Sequence, residues 1–358
     1  MRDRVSRPVQ PKQGWVAGVD MGASNLRFAR ANLSGRLEGI ASERVRPEGG
    51  PAGVIGQIKA GIALAGSHPG AAPKRGGKIS LPAAIAVGVP SAVDPRSGRV
   101  SWANNLPGWR NIDVRRAIEA EFAVPVVLDN DANLAALGER WRGAARRADN
   151  FVFVALGTGI GAGVVVNGRL CHGRTGNAGE LYRLHLDWRR WAKVFPDTGY
   201  FEAHAGGLGI AAAGRRALGQ RSRRRVRDLV ELRNAGFVFE AFHRGDPRAR
   251  RVLEQAFIML GVGLANIASV LDPDVIVLGG GLTRGAPQFM LETVQRVLAH
   301  IHPDIAPPVR LSALGDRAQL YGAIYAALEV AARRPTRRGR SEHPRIQGRV
   351  LDSAEGDR

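Results

Sequence analysis

Two stretches of this 358-residue chain follow the same pattern: an apolar strand, a glycine turn and a second strand. The first runs Val16-Ala17-Gly18-Val19-Asp20-Met21-Gly22-Ala23-Ser24-Asn25-Leu26-Arg27-Phe28-Ala29. The second runs from Phe151 through Leu156-Gly157-Thr158-Gly159-Ile160-Gly161-Ala162-Gly163 to Val166. Glycine lets the backbone approach a ligand closely and adopt positive φ. Successive free amides in such a turn make a nest for anions, phosphate above all. A strand follows each turn, whereas a dinucleotide fingerprint needs a helix there. Each unit leads into helix and strand pieces, so this coarse repeat predicts two duplicated α/β halves. A third segment, Asp274 to Leu282, predicts a buried strand ending in Gly279, Gly280 and Gly281, where a flat base or ribose can lie on bare backbone. Read alone, each is equally a plain turn. Together they predict two halves that clamp one nucleotide.

Composition narrows the class. A chain of this length with 44% hydrophobic residues can bury a large core and form two lobes. It contains no run of 18 apolar residues, so no transmembrane helix is expected. Met1-Arg2-Asp3-Arg4 has no apolar region behind it, so no signal peptide is expected either. The lone Cys171 leaves no internal disulfide and no multi-cysteine metal site, and fits a reducing cytoplasm. The net charge of +20 is mostly arginine. It gathers in Arg221-Ser222-Arg223-Arg224-Arg225-Val226-Arg227 and in the basic tail 333–358, read as disordered, as is a flexible leader over 1–13. Such charge attracts a polyanion (nucleic acid, polyphosphate or ATP) or forms a solvated basic surface. No aromatic residue interleaves either cluster, which argues against a surface for stacking single-stranded nucleic acid.

Periodicity and turn chemistry predict helices over 51–66, 111–122, 131–142, 206–218, 225–244, 249–271, 287–301 and 318–332. Strands are predicted over 83–89, 124–128, 274–278 and 309–314, with a loop over Ser101 to Trp109. Asp129-Asn130-Asp131-Ala132-Asn133 falls where a strand ends and a helix begins, the place where open α/β folds bind ligands. Asp131 there can accept a proton from a hydroxyl attacking phosphorus, and Asn130 can bond a neighbouring hydroxyl; both are also good helix caps. The helix N-terminus is expected to hold Asp131 ionised and weakly basic, which suffices for the loose transition state of phosphoryl transfer. Asp20, at the end of the first strand, can hold Mg²⁺ through water. Glu180 and Glu202, each in a glycine-rich setting, can accept hydrogen bonds from sugar hydroxyls. Taken alone, each reads first as a surface glutamate.

In combination these pieces resemble the ROK family of sugar kinases and repressors, within the actin-like ATPase superfamily. The resemblance runs from about Val16 to about Leu328. It rests on Asp20 to Arg27, Asn105-Leu106-Pro107-Gly108-Trp109, Asn130-Asp131-Ala132-Asn133, Leu156 to Gly163, Gly179-Glu180 and Gly279-Gly280-Gly281. It implies a two-lobed actin-like (ribonuclease H-like) α/β fold, with ATP and a hexose in the cleft. The small lobe would be 14–130, completed by the C-terminal helix over 315–332, and the large lobe 131–314. Asp131 resembles the catalytic base, and Asn105, Asn130, Glu180 and Glu202 resemble sugar contacts. Asp20 resembles the Mg²⁺-associated acid. Gly22, Ser24, Asn25, Arg27, Gly157, Thr158, Gly159, Gly161, Gly279, Gly280 and Gly281 resemble the ATP and phosphate contacts. The implied activity is ATP-dependent phosphorylation of a hexose, the 6-hydroxyl of glucose first. Mannose, fructose, an N-acetylhexosamine, polyphosphate as donor, or a non-catalytic sugar-binding regulator remain as alternatives. A homodimer or homotetramer in the cytoplasm is implied as well.

Two departures stand out. Many members carry a histidine shortly after the first sugar-binding glutamate and a cysteine-rich zinc motif beyond it. Here Arg183 takes the histidine's place, and 186–200 contains no cysteine. His185 and His204 without thiolates make a poor zinc site, so no structural zinc is expected. The repressors place a helix-turn-helix ahead of the first phosphate loop, and the roughly fifteen residues here are too few for one.

Overall fold

A computed structural model describes residues 14–22, 24–67, 80–94, 97–102, 108–195, 198–219 and 235–333. The leader 1–13, Asn105, the arginine cluster at 221–227 and the tail beyond 333 lie outside the described residues.

Two five-stranded sheets carry the molecule, and they share a plan. In the first, β1 (Trp15–Met21), β2 (Asn25–Asn32) and β3 (Leu37–Arg44) form an antiparallel meander. β4 (Ile85–Val89) runs parallel to β1 on its other side, and β8 (Val126–Asn130) runs parallel to β4. In the second, β9 (Phe151–Leu156), β10 (Ile160–Val166) and β11 (Arg169–Leu170) are antiparallel. β12 (Val275–Gly279) lies parallel to β9, and β13 (Val309–Leu311) lies parallel to β12. Each sheet is thus a glycine-tipped hairpin with parallel strands on one flank, as the coarse repeat predicts. β1, β4, β9 and β12 are almost wholly buried. Their near-continuous apolar runs are what a sheet covered on both faces requires.

Helices cover these faces. α1 (Gly50–Gly66) and α2 (Val114–Phe122) bury Val54, Ile58, Ile62, Ile118 and Phe122 against the first sheet. α4 (Tyr200–Ala205), α5 (Gly207–Ala217), α6 (Gly236–His243), α7 (Pro247–Leu271) and α8 (Pro287–Ile301) enclose one face of the second. Between the sheets run α3 (Asp131–Arg142) and α9 (Ala318–Ala332). α9 lies on β1, β2 and β4, and α3 lies on β9 and β10. The two helices cross so closely that a Cβ on Gly322 would sit 1.6 Å from the Leu134 carbonyl oxygen, and one on Gly138 would sit 2.2 Å from that of Ala318. Only glycine permits this approach.

Several sequence expectations need correction. The segments flanking the loop read over 101–109 form a small three-stranded sheet of β5 (Ala92–Val93), β6 (Val100–Trp102) and β7 (Arg110–Ile112), too short for a periodicity signal; β6 takes in 101 and 102, and 103–107 lie outside the described residues. α2 begins at Val114 because the Asp113 side chain accepts the Arg116 amide and caps it. The helix read over 225–244 is described only at Gly236–His243. The strand read to residue 314 stops at Leu311, because the amides of Ala313 and Leu314 donate to Glu139 instead. α7 is long and apolar enough to cross a membrane by length and composition, although the chain has no unbroken apolar run. Its apolar residues pack in the core of the second sheet, where Leu253, Leu264 and Ala265 are fully buried.

Candidate active site

The β1–β2 hairpin brings the first set of polar groups together. Its register pairs Asp20 with Arg27. Asp20 is 3% exposed, and the Arg27 Nε donates to its Oδ2 at 2.8 Å. Burial raises the Asp20 carboxyl above the usual range, and the Arg27 charge partly offsets this. Gly22 donates its amide to the Asn25 carbonyl at 2.9 Å, closing the turn that carries Ser24. Arg27 also reaches out of the hairpin and donates to the Asp316 carbonyl, while the Asp316 carboxylate pairs with Arg284. This chain of contacts ties the first glycine turn to the segment behind Gly279-Gly280-Gly281.

The β9–β10 hairpin is held differently. Leu156 faces Ile160 across the tip, and the amides of Gly207 and Leu208 at the start of α5 donate to the carbonyls of Gly157 and Thr158 at 3.0 and 3.1 Å. With those carbonyls turned to the helix, the amides of Thr158 and Gly159 donate to no acceptor among the described residues. Free amides at an exposed tip are able to receive an anion. Glu202, in the first turn of α4, accepts the Ile160 amide at 2.7 Å. A Cβ on Gly159 would lie 2.2 Å from that carboxylate, so the glycine makes room for it.

Asp131 opens α3 at the end of β8. Asn130 is its N-cap: Oδ1 accepts the Ala132 amide at 2.8 Å, and Nδ2 donates to the Ser91 carbonyl at 3.1 Å. One Nδ2 hydrogen remains for a ligand. The Asp131 carboxyl is pushed up to about 7, chiefly by burial, then by the Asp20 and Glu180 charges, against a lowering bond from the Ala132 amide. This corrects the expectation of an ordinary ionised aspartate. The helix terminus does act, but removal from water outweighs it. Glu180 and Glu202 are also raised by burial, and each other's proximity contributes at Glu180, where Arg183 opposes. Gly161 stands 3.4 Å, measured from its ideal Cβ, from the Ala132 Cβ. The second hairpin therefore lies against the helix turn that presents Asp131.

Gly279, Gly280 and Gly281 divide their roles. A Cβ on Gly279 would strike the Phe153 ring at 2.6 Å, so this glycine serves packing. Gly280, at φ 92, passes within 2.4 Å (ideal Cβ to oxygen) of the Leu156 carbonyl and joins the third segment to the second hairpin. Gly280 lines a cavity of about 370 Å³ with Thr283, Arg284, Pro287, Leu311, Ser312, Gly315 and Asp316. Gly281 has nothing but the Arg284 side chain within reach of a Cβ.

His172 was not among the candidates. Its Nε2 lies 2.8 Å from Asp129 Oδ2, whose other oxygen accepts the Asn130 amide and Asn133 Nδ2. This bond to Asp129 raises the imidazole's pKa. It fastens the turn leading to Glu180 onto the strand leading to Asp131. A lone histidine before a glycine turn gives no such signal in sequence. His185 and His204 stack on the Tyr200 ring at 4.4 and 4.3 Å between centroids, and His204 Nδ1 bonds the Tyr200 carbonyl. No group of three or more His, Cys, Asp or Glu side chains that could hold a metal occurs among the described residues.

The ROK family model matches residues 16–330. A glucokinase from Halalkalibacterium halodurans is 30% identical over 316 residues, 86% of this chain and 93% of that protein. A solved ROK hexokinase from Thermus thermophilus is 31% identical, with TM-score 0.74 over 88% of this chain and 99% of that one. A ROK family glucokinase from Streptomyces griseus, solved in complex with glucose and AMPPNP, is 25% identical, with TM-score 0.69 over 88% of this chain and 100% of that one.

Proposed function

The chain belongs to the ROK family, and from that membership we propose that it is an ATP-dependent sugar kinase, acting on a hexose hydroxyl and first of all on the 6-hydroxyl of glucose. The observation that carries this reading is Asp131: a carboxylate titrating near 7, beside Asp20 and Glu180, against the glycine hairpin with free amides. A general base works best when its pKa lies near the operating pH.

The chemistry follows from these positions. Glu180, Asn130 and Glu202 orient the sugar. Asp131 takes the proton of the attacking hydroxyl as that oxygen bonds to the terminal phosphorus. The bond from phosphorus to the bridging oxygen breaks, and ADP leaves with its electron pair. The amides of Thr158 and Gly159 receive the phosphate oxygens, and Arg27 and Ser24 face the same tail. The nucleoside occupies the cavity at Gly280, roofed by Arg284 and Asp316. Asp20 suits Mg²⁺, which binds through one or two carboxylates plus substrate phosphates: it is one carboxylate, with only Oδ2 engaged by Arg27. The ion supplies charge neutralisation when bound; phosphoryl transfer otherwise depends on positioning.

In this reading the lobes are 14–130 with 315–332, and 131–314. The protein acts in the cytoplasm as a homodimer or homotetramer. Arg183, where many relatives carry histidine, tunes the choice among glucose, mannose, fructose and N-acetylhexosamine. A coupled phosphorylation assay over that panel, with ATP and inorganic polyphosphate compared as donors, tests the proposal. Turnover of glucose with ATP is expected. Silence over the whole panel alongside measurable sugar binding would replace the kinase with a sugar-binding regulator.

A further inference from the structure

A second concavity lies away from the cleft, between the turn that ends α3 and the edge strand β13. Its volume is about 440 Å³, and its walls are Gly143, Ala144, Arg146, Arg147 and Arg310. Every side chain longer than a methyl group in that lining is a guanidinium, and no carboxylate joins them. Arg310 is paired in register with Val277, a fully buried residue, so it stands on the face of the sheet turned toward α3. One of its nitrogens donates to the Ala144 carbonyl at 3.3 Å, which spans the pocket from strand to turn. Arg146 and Arg147 are exposed, and neither forms an ion pair among the described residues. Neighbouring Arg140, by contrast, is paired with Asp149.

Folding gains nothing from gathering three like charges around a hollow. A concave cationic wall instead focuses potential on whatever anion can enter. The planar fork of arginine matches the oxygens of phosphate and binds them in pairs. A hollow of this size takes a compact group rather than an extended backbone. We propose that the pocket binds a compact phosphate-bearing anion, either a free oligophosphate or the phosphate of a small phosphorylated metabolite. It backs onto the cavity at Gly280. Arg310 directly precedes Leu311 and Ser312, which line that cavity. The Ala144 amide and the Ser312 hydroxyl both donate to the fully buried Glu139 carboxylate. The proposal does not depend on the kinase reading, and its test uses no activity.

The full chain is titrated calorimetrically with sodium tripolyphosphate, glucose 6-phosphate and inorganic phosphate near physiological salt. Three variants follow: Arg146→Glu with Arg147→Glu, Arg310→Gln, and Thr158→Asp, which puts a negative charge on the exposed tip of the cleft hairpin. Thr158→Asp, which is remote from this lining, should keep the binding that the double reversal removes, whatever it takes away at the cleft. The double reversal should weaken binding by at least about tenfold, the scale of a lost charge-assisted hydrogen bond, and Arg310→Gln by less. Tighter binding of tripolyphosphate than of glucose 6-phosphate would assign the free oligophosphate, and the reverse order the metabolite. The proposal is overturned if none of the three ligands binds, if the double reversal binds as wild type does, or if Thr158→Asp abolishes binding. Tighter binding of a single-stranded oligonucleotide would overturn it too, since that marks an extended surface.

Discussion

The two glycine hairpins have the same plan, a turn between antiparallel strands with a parallel strand alongside, yet they manage charge in opposite ways. The β1–β2 hairpin contains its own ion pair: Asp20 is buried in it, and Arg27 on the partner strand neutralises it. The β9–β10 hairpin contains no charge at its tip. It is propped from outside by the Glu202 carboxylate, which holds the Ile160 amide, and by α5, which holds its carbonyls. In the proposed reaction the first would offer its carboxylate to a cation, and the second its amides to an anion. A duplicated scaffold need not duplicate its chemistry, because the groups that distinguish the two copies come from different places in the chain.

The largest expected effect lies between the hairpins. Asp131→Asn should lower kcat by about 10²–10⁴-fold, the usual contribution of a general base, with far-UV circular dichroism unchanged. In wild type, kcat/KM should rise as pH increases through about 7, where Asp131 loses its proton. Stability should move the opposite way. A carboxyl raised on folding contributes stability that is complete below its unfolded value near 3.8 and lost as pH rises through about 7. Asp131→Asn should therefore melt higher than wild type at pH 8, and the gap should close in acid. An unchanged pH profile of melting would show that the group is not held out of water.

Next come changes that set the hairpins against each other. Arg27→Met leaves a buried carboxylate unpaired and should cost about 3–5 kcal/mol in chemical denaturation. Thr158→Ala, at an exposed tip, should change stability by less than about 0.5 kcal/mol. Equal losses at both would end the contrast. Gly159→Ala drives a methyl group into the Glu202 carboxylate and should raise the KM for ATP. Gly22→Ala meets only the Asn25 carbonyl at 3.3 Å and should be the milder of the two. Glu202→Ala should cost about 1.5–3 kcal/mol in kcat/KM, the range for a hydrogen bond to a charged group. The smallest effect is expected at Arg284 and Asp316, which are 63% and 59% exposed. Arg284→Gln should change stability by less than about 1 kcal/mol, and the difference should vanish in high salt.

The sheet pattern, the order of the main helices and the glycine tips were legible from residue order alone, because a buried strand and an amphipathic helix each leave their period in the chain. α3 was read at its observed limits for a local reason: Asn130 caps it through a bond to an amide two residues on. The small sheet at β5 to β7 and the six-residue α4 were not legible, since elements that short leave no period. His172 was missed because its partner Asp129 is 43 residues away. The pKa of Asp131 was misread for a related reason. The helix terminus that lowers it is local and visible in sequence, whereas the burial and the Asp20 and Glu180 charges that raise it come from distant segments.

The sequence by itself determined where backbone could come close to a ligand and which side chains could carry a charge or a proton, since glycine, aspartate and arginine have those properties wherever they stand. Tertiary structure alone decided which of them meet. It set Glu202 under one glycine turn and Arg27 over Asp20, drew Asp131 into a half-buried position, and gathered Arg146, Arg147 and Arg310 around one hollow. The physical reason is that solvation and Coulomb energy depend on distance through space, and residues 42 or 163 positions apart acquire such distances only when the chain has folded.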